Sequence, residues 1–195
     1  MDSSIFILPT LIRLLYATGL RISEALFLKD QDVHPTDRTI IVKDSKNGKE
    51  RLIPISSSLA EVLSEYLHYK RKMPLHNKAC DHFFINLCGR PCNRDNIDTW
   101  FKKILRAANI SGHRQGLRLH DLRHTFSVHS LAMMAEQDID LYCALPTLST
   151  YLGHQSLNAT NGYVRLTAEM YPGLLKDANL ICLNVFPNTQ YYATN

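Results

Sequence analysis

One short stretch, from Thr39 to Ile55, constrains the fold of this chain most tightly. Two β-type runs, Thr39-Ile40-Ile41-Val42 and Arg51-Leu52-Ile53-Pro54-Ile55, flank Asp44-Ser45-Lys46-Asn47-Gly48-Lys49. Asn-Gly between such runs is a strong hairpin signal, because both residues accept positive φ at low cost. Elsewhere the apolar residues recur mostly at helical spacing. The expected fold class is therefore mainly α with a small antiparallel β-sheet.

The helical pattern begins at residues 4–17, where Leu8, Leu11, Ile12, Leu15 and Tyr16 fall at helical spacing and Thr18-Gly19 closes the helix. A short helix is expected at 22–28, with Ile22 and Leu26 on one face. Ser56-Ser57-Ser58 offers caps for a helix running to about residue 73, where Pro74 stops it. Asp81 to Asn86 reads as a short strand before the turn residues Gly89-Arg90-Pro91. Asn93 or Asp95 caps a helix to about residue 108. Further helices are expected at 119–136, at 144–152 with Pro146 in the first turn, at 157–163 and at 168–178. Residues 184–195 read as a loose tail. With no repeat, low-complexity tract or long linker, one domain over 1–183 is the simplest organisation.

The 195 residues are 45% hydrophobic, enough for one sizeable core. No run of 18 apolar residues appears, so no membrane span is expected. The start, Met1-Asp2-Ser3-Ser4, has an acid where a signal peptide carries basic residues, so a cytoplasmic protein is expected. Cys80, Cys88, Cys92, Cys143 and Cys182 are odd in number and widely spread, which favours reduced thiols over a disulfide framework. Cys80, His82, Cys88 and Cys92 raise zinc, but their spacing fits the usual paired ligands poorly, and ordinary thiols are the other reading. The net charge is +4, and it is clustered: Lys102, Lys103, Arg106, Arg114, Arg118 and Arg123 face a single acid, Asp121, between Trp100 and His124. A second basic run holds Lys43, Lys46, Lys49 and Arg51 against Asp44 and Glu50. Such clusters suit a phosphate backbone; two solvated surface stretches would look the same.

Five local features carry chemistry. In Ala17-Thr18-Gly19-Leu20-Arg21-Ile22-Ser23-Glu24, Arg21 opens a helix directly after a tight turn, where a guanidinium can fork onto phosphate oxygens. Glu24, three residues on, shares its face and can orient it. In the hairpin, Lys46 or Lys49 can swing an ammonium into a groove and donate a proton. In Leu119-His120-Asp121-Leu122-Arg123-His124, His120 and Arg123 share a helix face, which sets an acid/base group beside a phosphate binder. In Tyr151-Leu152-Gly153-His154, Gly153 breaks a helix and leaves His154 at the corner. Asn161-Gly162-Tyr163-Val164-Arg165 sets Tyr163 nine residues after His154. Each feature alone also has an ordinary structural reading.

Taken in order, the five segments resemble the catalytic domain of the tyrosine recombinases, or phage integrases, over residues 11–176. The resemblance assigns Arg21 from the Thr-Gly-Leu-Arg-x-x-Glu segment, Lys46 from the hairpin, His120 and Arg123 from His-x-x-Arg, His154 from Leu-Gly-His, and Tyr163 as nucleophile. Lys49 is the residue most easily confused with Lys46. It implies cleavage and rejoining of double-stranded DNA through a 3′-phosphotyrosyl intermediate, in integration or excision of a mobile element. Arg21 and Arg123 would clamp the phosphate, His154 would add a donor, His120 would take the tyrosine proton and Lys46 would protonate the 5′-oxygen. No cofactor and no metal are implied, because the arginines and the lysine supply the charge.

The implied partners are duplex DNA, further copies of the chain in a tetrameric synapse, and accessory DNA-bending proteins. The family's helical core-binding domain, which precedes the catalytic one, is expected to be absent, with weak and salt-sensitive DNA binding as the consequence. The stretch 136–150 is longer than the resemblance leads one to expect. Residues 170–182 could dock on a neighbouring protomer or fold back on their own core. A non-catalytic DNA-binding remnant, a type IB topoisomerase and a protein-interaction domain are the rival readings. The full set of six residues argues against the first and third, and the hairpin and Leu-Gly-His patterns against the second.

Overall fold

The structure is a computed structural model that describes residues 4–43, 50–73, 80–110, 116–137, 139, 141–153, 162, 163 and 167. The chain divides into two compact units, Met1–Phe126 and Ser127–Asn195. The described residues form helices and one small antiparallel sheet, as the periodicity implies.

In the first unit, residues Ile5–Ile7 make a 3-10 turn that leads into α1, Leu8–Thr18. The α-helix thus starts later than its apolar pattern suggests, with Pro9 in its first turn, where a missing N–H costs nothing. Leu8, Leu11, Leu14 and Leu15 are buried, whereas Tyr16 is largely exposed, so the inward stripe is rotated toward Leu14. Gly19 ends α1 with φ +62°, and its N–H donates to Leu15 O at 2.9 Å. Helix α2, Ile22–Phe27, follows at once and packs against α1.

Three strands form the sheet in the order β1-β2-β3: Val33–His34, Thr39–Lys43 and Glu50–Pro54. The hairpin strands pair Ile40 with Ile53 and Val42 with Arg51. Ile40, Val42 and Ile53 are buried, the period-2 pattern of a sheet with one face on the core. β1 has no sequence signal of its own, being two residues held by pairing to β2.

Helix α3, Ser57–Lys72, is capped by Ser56, whose Oγ accepts from Leu59 N at 3.3 Å. It packs on α1, and its Leu59, Leu63 and Tyr66 are buried. Tyr66 joins an aromatic cluster with Phe83 and Phe84, at centroid distances of 5.1 and 5.4 Å, and donates its hydroxyl to Phe83 O at 3.1 Å. Burial pushes the phenol pKa well up.

The strand expected at 81–86 does not form. This segment makes only two isolated bridges, Lys29 with His82 and Ile85 with Pro91. Its neighbour, Asp30–Asp32, turns away into a 3-10 helix, which removes the pairing edge. Asn86 then folds the chain back, its side-chain oxygen accepting from Cys88 N and Arg90 N, each at 3.0 Å. Phe83, Phe84 and Ile85 are still buried, so the apolar run reflects burial rather than a strand. Helix α4, Arg94–Ala107, is capped by Asn93. It buries Ile97 and Phe101 and exposes Lys102, Lys103 and Arg106, with Lys103 Nζ 4.5 Å from the Trp100 ring centroid.

Helix α5, Leu119–Glu136, begins in the first unit and continues into the second. In the second unit, α6 spans Leu141–Leu152. It starts a turn before the expected point, so Pro146 lies inside the helix rather than at its first position. Ala144, Leu145, Leu148 and Leu152 are buried across the proline, and that burial outweighs one lost backbone bond. Gly162 and Tyr163 lie on a helical turn whose Tyr163 O accepts from Thr167 Oγ1 at 2.8 Å. The helix expected at 168–178 and the tail at 184–195 lie outside the described residues. Among the described residues no helix is long and apolar enough to cross a membrane.

Tyr66→Phe leaves the Phe83 carbonyl without its donor in an apolar cluster. It is expected to cost about 1–2 kcal/mol in urea unfolding with an unchanged m-value.

Candidate active site

The site is assembled around the turn between α1 and α2. Arg21 is the N-cap of α2, with extended backbone dihedrals. Its N–H donates to Glu24 Oε2 at 2.8 Å, which satisfies one of the open donors at the helix start. Its guanidinium donates through Nη1 to Glu24 Oε1 at 2.9 Å, while 38% of the side chain stays exposed. Glu24 therefore orients Arg21 as the spacing implies.

Glu24 has a second cationic partner that the sequence reading passed over. Arg51 Nη2, from β3, donates to Glu24 Oε2 at 2.8 Å. Burial alone would raise the Glu24 pKa. The Arg51 and Arg21 hydrogen bonds, with both guanidinium charges, outweigh burial and lower it. Arg51 had a signal in the sequence: it lies two residues before Ile53 and opposite Val42, hence on the inward face of its strand.

Arg123 is 2% exposed, although a surface arginine is the commoner case. Its Nη1 donates to Gly19 O at 2.7 Å. This bond ties α5 to the turn that carries Arg21, two residues further on. Gly19 has a second reason to be glycine besides its φ of +62°: a Cβ there would stand 2.4 Å from Phe126 Cδ1.

His120 is exposed on the first turn of α5, and its ring meets that of His124 edge-on at 4.7 Å between centroids. Desolvation, then the charges of His124, Arg123 and Arg118, lower its pKa against the opposing pull of Asp121. The imidazole is thus neutral at neutral pH and can accept a proton. His124, which the sequence reading did not single out, is lowered mainly by desolvation as well.

Arg21 lies at the N-cap of α2 and His120 and Arg123 on α5, all within the first unit, and the Arg123–Gly19 bond links α5 to the turn before Arg21. Tyr163 lies in the second unit and is buried, at 5% exposure. Lys46, Lys49 and His154 lie outside the described residues. Cys80 and Cys88 are half-buried thiols, and among the described residues no group of three His, Cys, Asp or Glu side chains is placed to hold a metal ion.

The phage integrase family model matches residues 5–170, and the chain belongs to that family. It is 32% identical over 160 residues to tyrosine recombinase XerC of Chlamydia caviae, covering 82% of this chain and 47% of that protein. It is also 32% identical over 173 residues to tyrosine recombinase XerA of Pyrococcus furiosus, covering 88% and 54%. Among solved structures, XerH site-specific recombinase bound to a palindromic difH substrate, in a post-cleavage complex, matches with a TM-score of 0.67. That match has 25% identity and covers 92% of this chain and 47% of that one. The chain spans about half the length of the curated relatives it matches. The fold is that of the tyrosine recombinase catalytic domains, mostly helical with a small three-stranded sheet.

Two outcomes follow. Gly19→Ala meets both the positive φ and the Phe126 ring, so it is expected to cost about 2 kcal/mol or more, measured by denaturant unfolding. Glu24 has a folded pKa below its ordinary value of about 4.3. The stability it confers is therefore complete above that ordinary value and is lost as pH falls through the lowered one. Glu24→Gln is expected to be less stable than the parent at neutral pH, by on the order of 1–3 kcal/mol. The gap should close on acidification.

Proposed function

We propose that this chain is the catalytic domain of a site-specific DNA recombinase, with residues 1–183 as that domain. It cuts and rejoins duplex DNA through a 3′-phosphotyrosyl bond to Tyr163. The observation that carries this reading is the Arg123–Gly19 hydrogen bond, which fixes one buried arginine against the turn that presents another. Family membership supports the assignment of the remaining residues.

In the reaction, the Tyr163 oxygen attacks the scissile phosphorus as its proton passes to His120. Negative charge builds on the non-bridging oxygens, where Arg21, Arg123 and His154 donate hydrogen bonds to it. The phosphorus–5′-oxygen bond breaks as Lys46 protonates the leaving oxygen. The phosphotyrosyl ester conserves the bond energy, so a 5′-hydroxyl from another duplex reverses the step. The partners are double-stranded DNA and further copies of the chain in a tetrameric synapse, assisted by DNA-bending proteins. The setting is the cytoplasm, on the nucleoid, in the integration or excision of a mobile element.

A nicked suicide duplex tests the reading. A denaturant-resistant protein–DNA adduct is expected with the parent chain and none with Tyr163→Phe. An adduct that persists in that variant overturns the nucleophile assignment. The adduct rate should fall as pH drops through the lowered His120 pKa, with a midpoint below about 6.5, and His120→Asn should remove that limb.

A further inference from the structure

Glu24 poses a problem for any site that uses Arg21 on a phosphate. A buried carboxylate on one arginine makes a neutral pair, and a neutral pair is a poor anion clamp. Glu24 is 11% exposed, and its Oε1 lies 2.9 Å from Arg21 Nη1. Taken alone, this contact would cancel much of the charge that Arg21 brings to the site.

Arg51 changes that balance. Its Nη2 lies 2.8 Å from Glu24 Oε2, and its side chain is 17% exposed, so this pair is better shielded from water than the Arg21 pair. The trio of Arg21, Glu24 and Arg51 carries a net charge of +1. Arg51 comes from β3, opposite Val42 on the inward face of the sheet. Its position is thus set by strand pairing, independently of α2.

We infer that Arg51 is a positioning residue for Arg21. It takes up the charge of Glu24, so that Glu24 orients the Arg21 guanidinium without neutralising it toward an incoming phosphodiester. The inference rests on the phosphate-clamp reading of Arg21. It makes Arg51 part of the machinery without contact to the reacting atoms. It also explains why an arginine occupies an inward strand position where an apolar residue would pack.

A charge-balance role has a signature that a packing role lacks. Arg51→Gln leaves Glu24 paired with Arg21 alone, so adduct formation on the nicked duplex should slow about tenfold or more, chiefly in the rate of the bound complex rather than in KM. Arg51→Lys should retain most of the rate, because it restores the charge. The double variant Glu24→Gln with Arg51→Gln should react faster than Arg51→Gln alone, because the carboxylate that neutralises Arg21 has gone. A double variant as slow as or slower than Arg51→Gln overturns the inference, as does a parental rate in Arg51→Gln. Thermal melts of each variant separate misfolding from these effects. Should the parent form no adduct, the recombinase reading fails by itself. The inference is then read from titration of each chain with inorganic phosphate, followed at the Arg21 side-chain NMR signals. Weaker binding in Arg51→Gln, recovered in the double variant, supports it. Equal binding in all three chains, or none in the parent, overturns it.

Discussion

The Arg123 guanidinium on the Gly19 carbonyl is the bond on which the site depends. It joins residues 104 positions apart, and it does so inside the core. Burying a guanidinium is costly unless its donors are met. The α1–α2 turn thus offers a backbone acceptor at the point where α5 arrives. The same turn is shaped by the left-handed Gly19, whose missing Cβ admits Phe126. Two side chains of α5, one polar and one aromatic, thereby register on a single residue. Arg21 follows two residues on as the N-cap of α2, so its backbone is placed by the same turn.

Electrostatics in the first unit follow a common pattern. Three acids near the sheet each have a cation from another element: Asp32 takes Lys43 at 2.6 Å, Asp30 takes the buried Lys70 at 2.6 Å, and Glu24 takes Arg51. Lys43 and Arg51 flank the two ends of the hairpin turn, so both stems of that hairpin are held by charge as well as by the ladder. Lys70 also donates to His82 O at 2.6 Å, which ties the end of α3 to the segment that failed to become a strand.

Much of the architecture was legible in the sequence, because helices here announce themselves by caps and spacing. Ser56, Asn93 and Gly19 mark helix ends where expected, and the Asn47-Gly48 signal set the strands to either side correctly. The misreadings share a cause. At 81–86 an apolar run has the look of a strand although tertiary burial alone explains it, and at Pro146 a buried stripe overrides a local rule. For the site, spacing pointed to the Arg21–Glu24 pair and to the His120–Arg123 helix. Contacts across the chain left no local trace. The Gly19 carbonyl cannot be seen as an acceptor in a sequence, and Arg51 was hidden among neighbouring basic residues although its period-2 position faced inward.

The chain has one tryptophan, and its indole lies under the ammonium of Lys103 on the exposed basic side of α4. This gives the molecule an optical probe at a known address. Indole emission responds to a charge held over its face, so anything that draws Lys103 away changes the colour or intensity of that light without a label. With excitation beyond the tyrosine absorption band, a polyanion approaching α4 could be followed in real time at a single position.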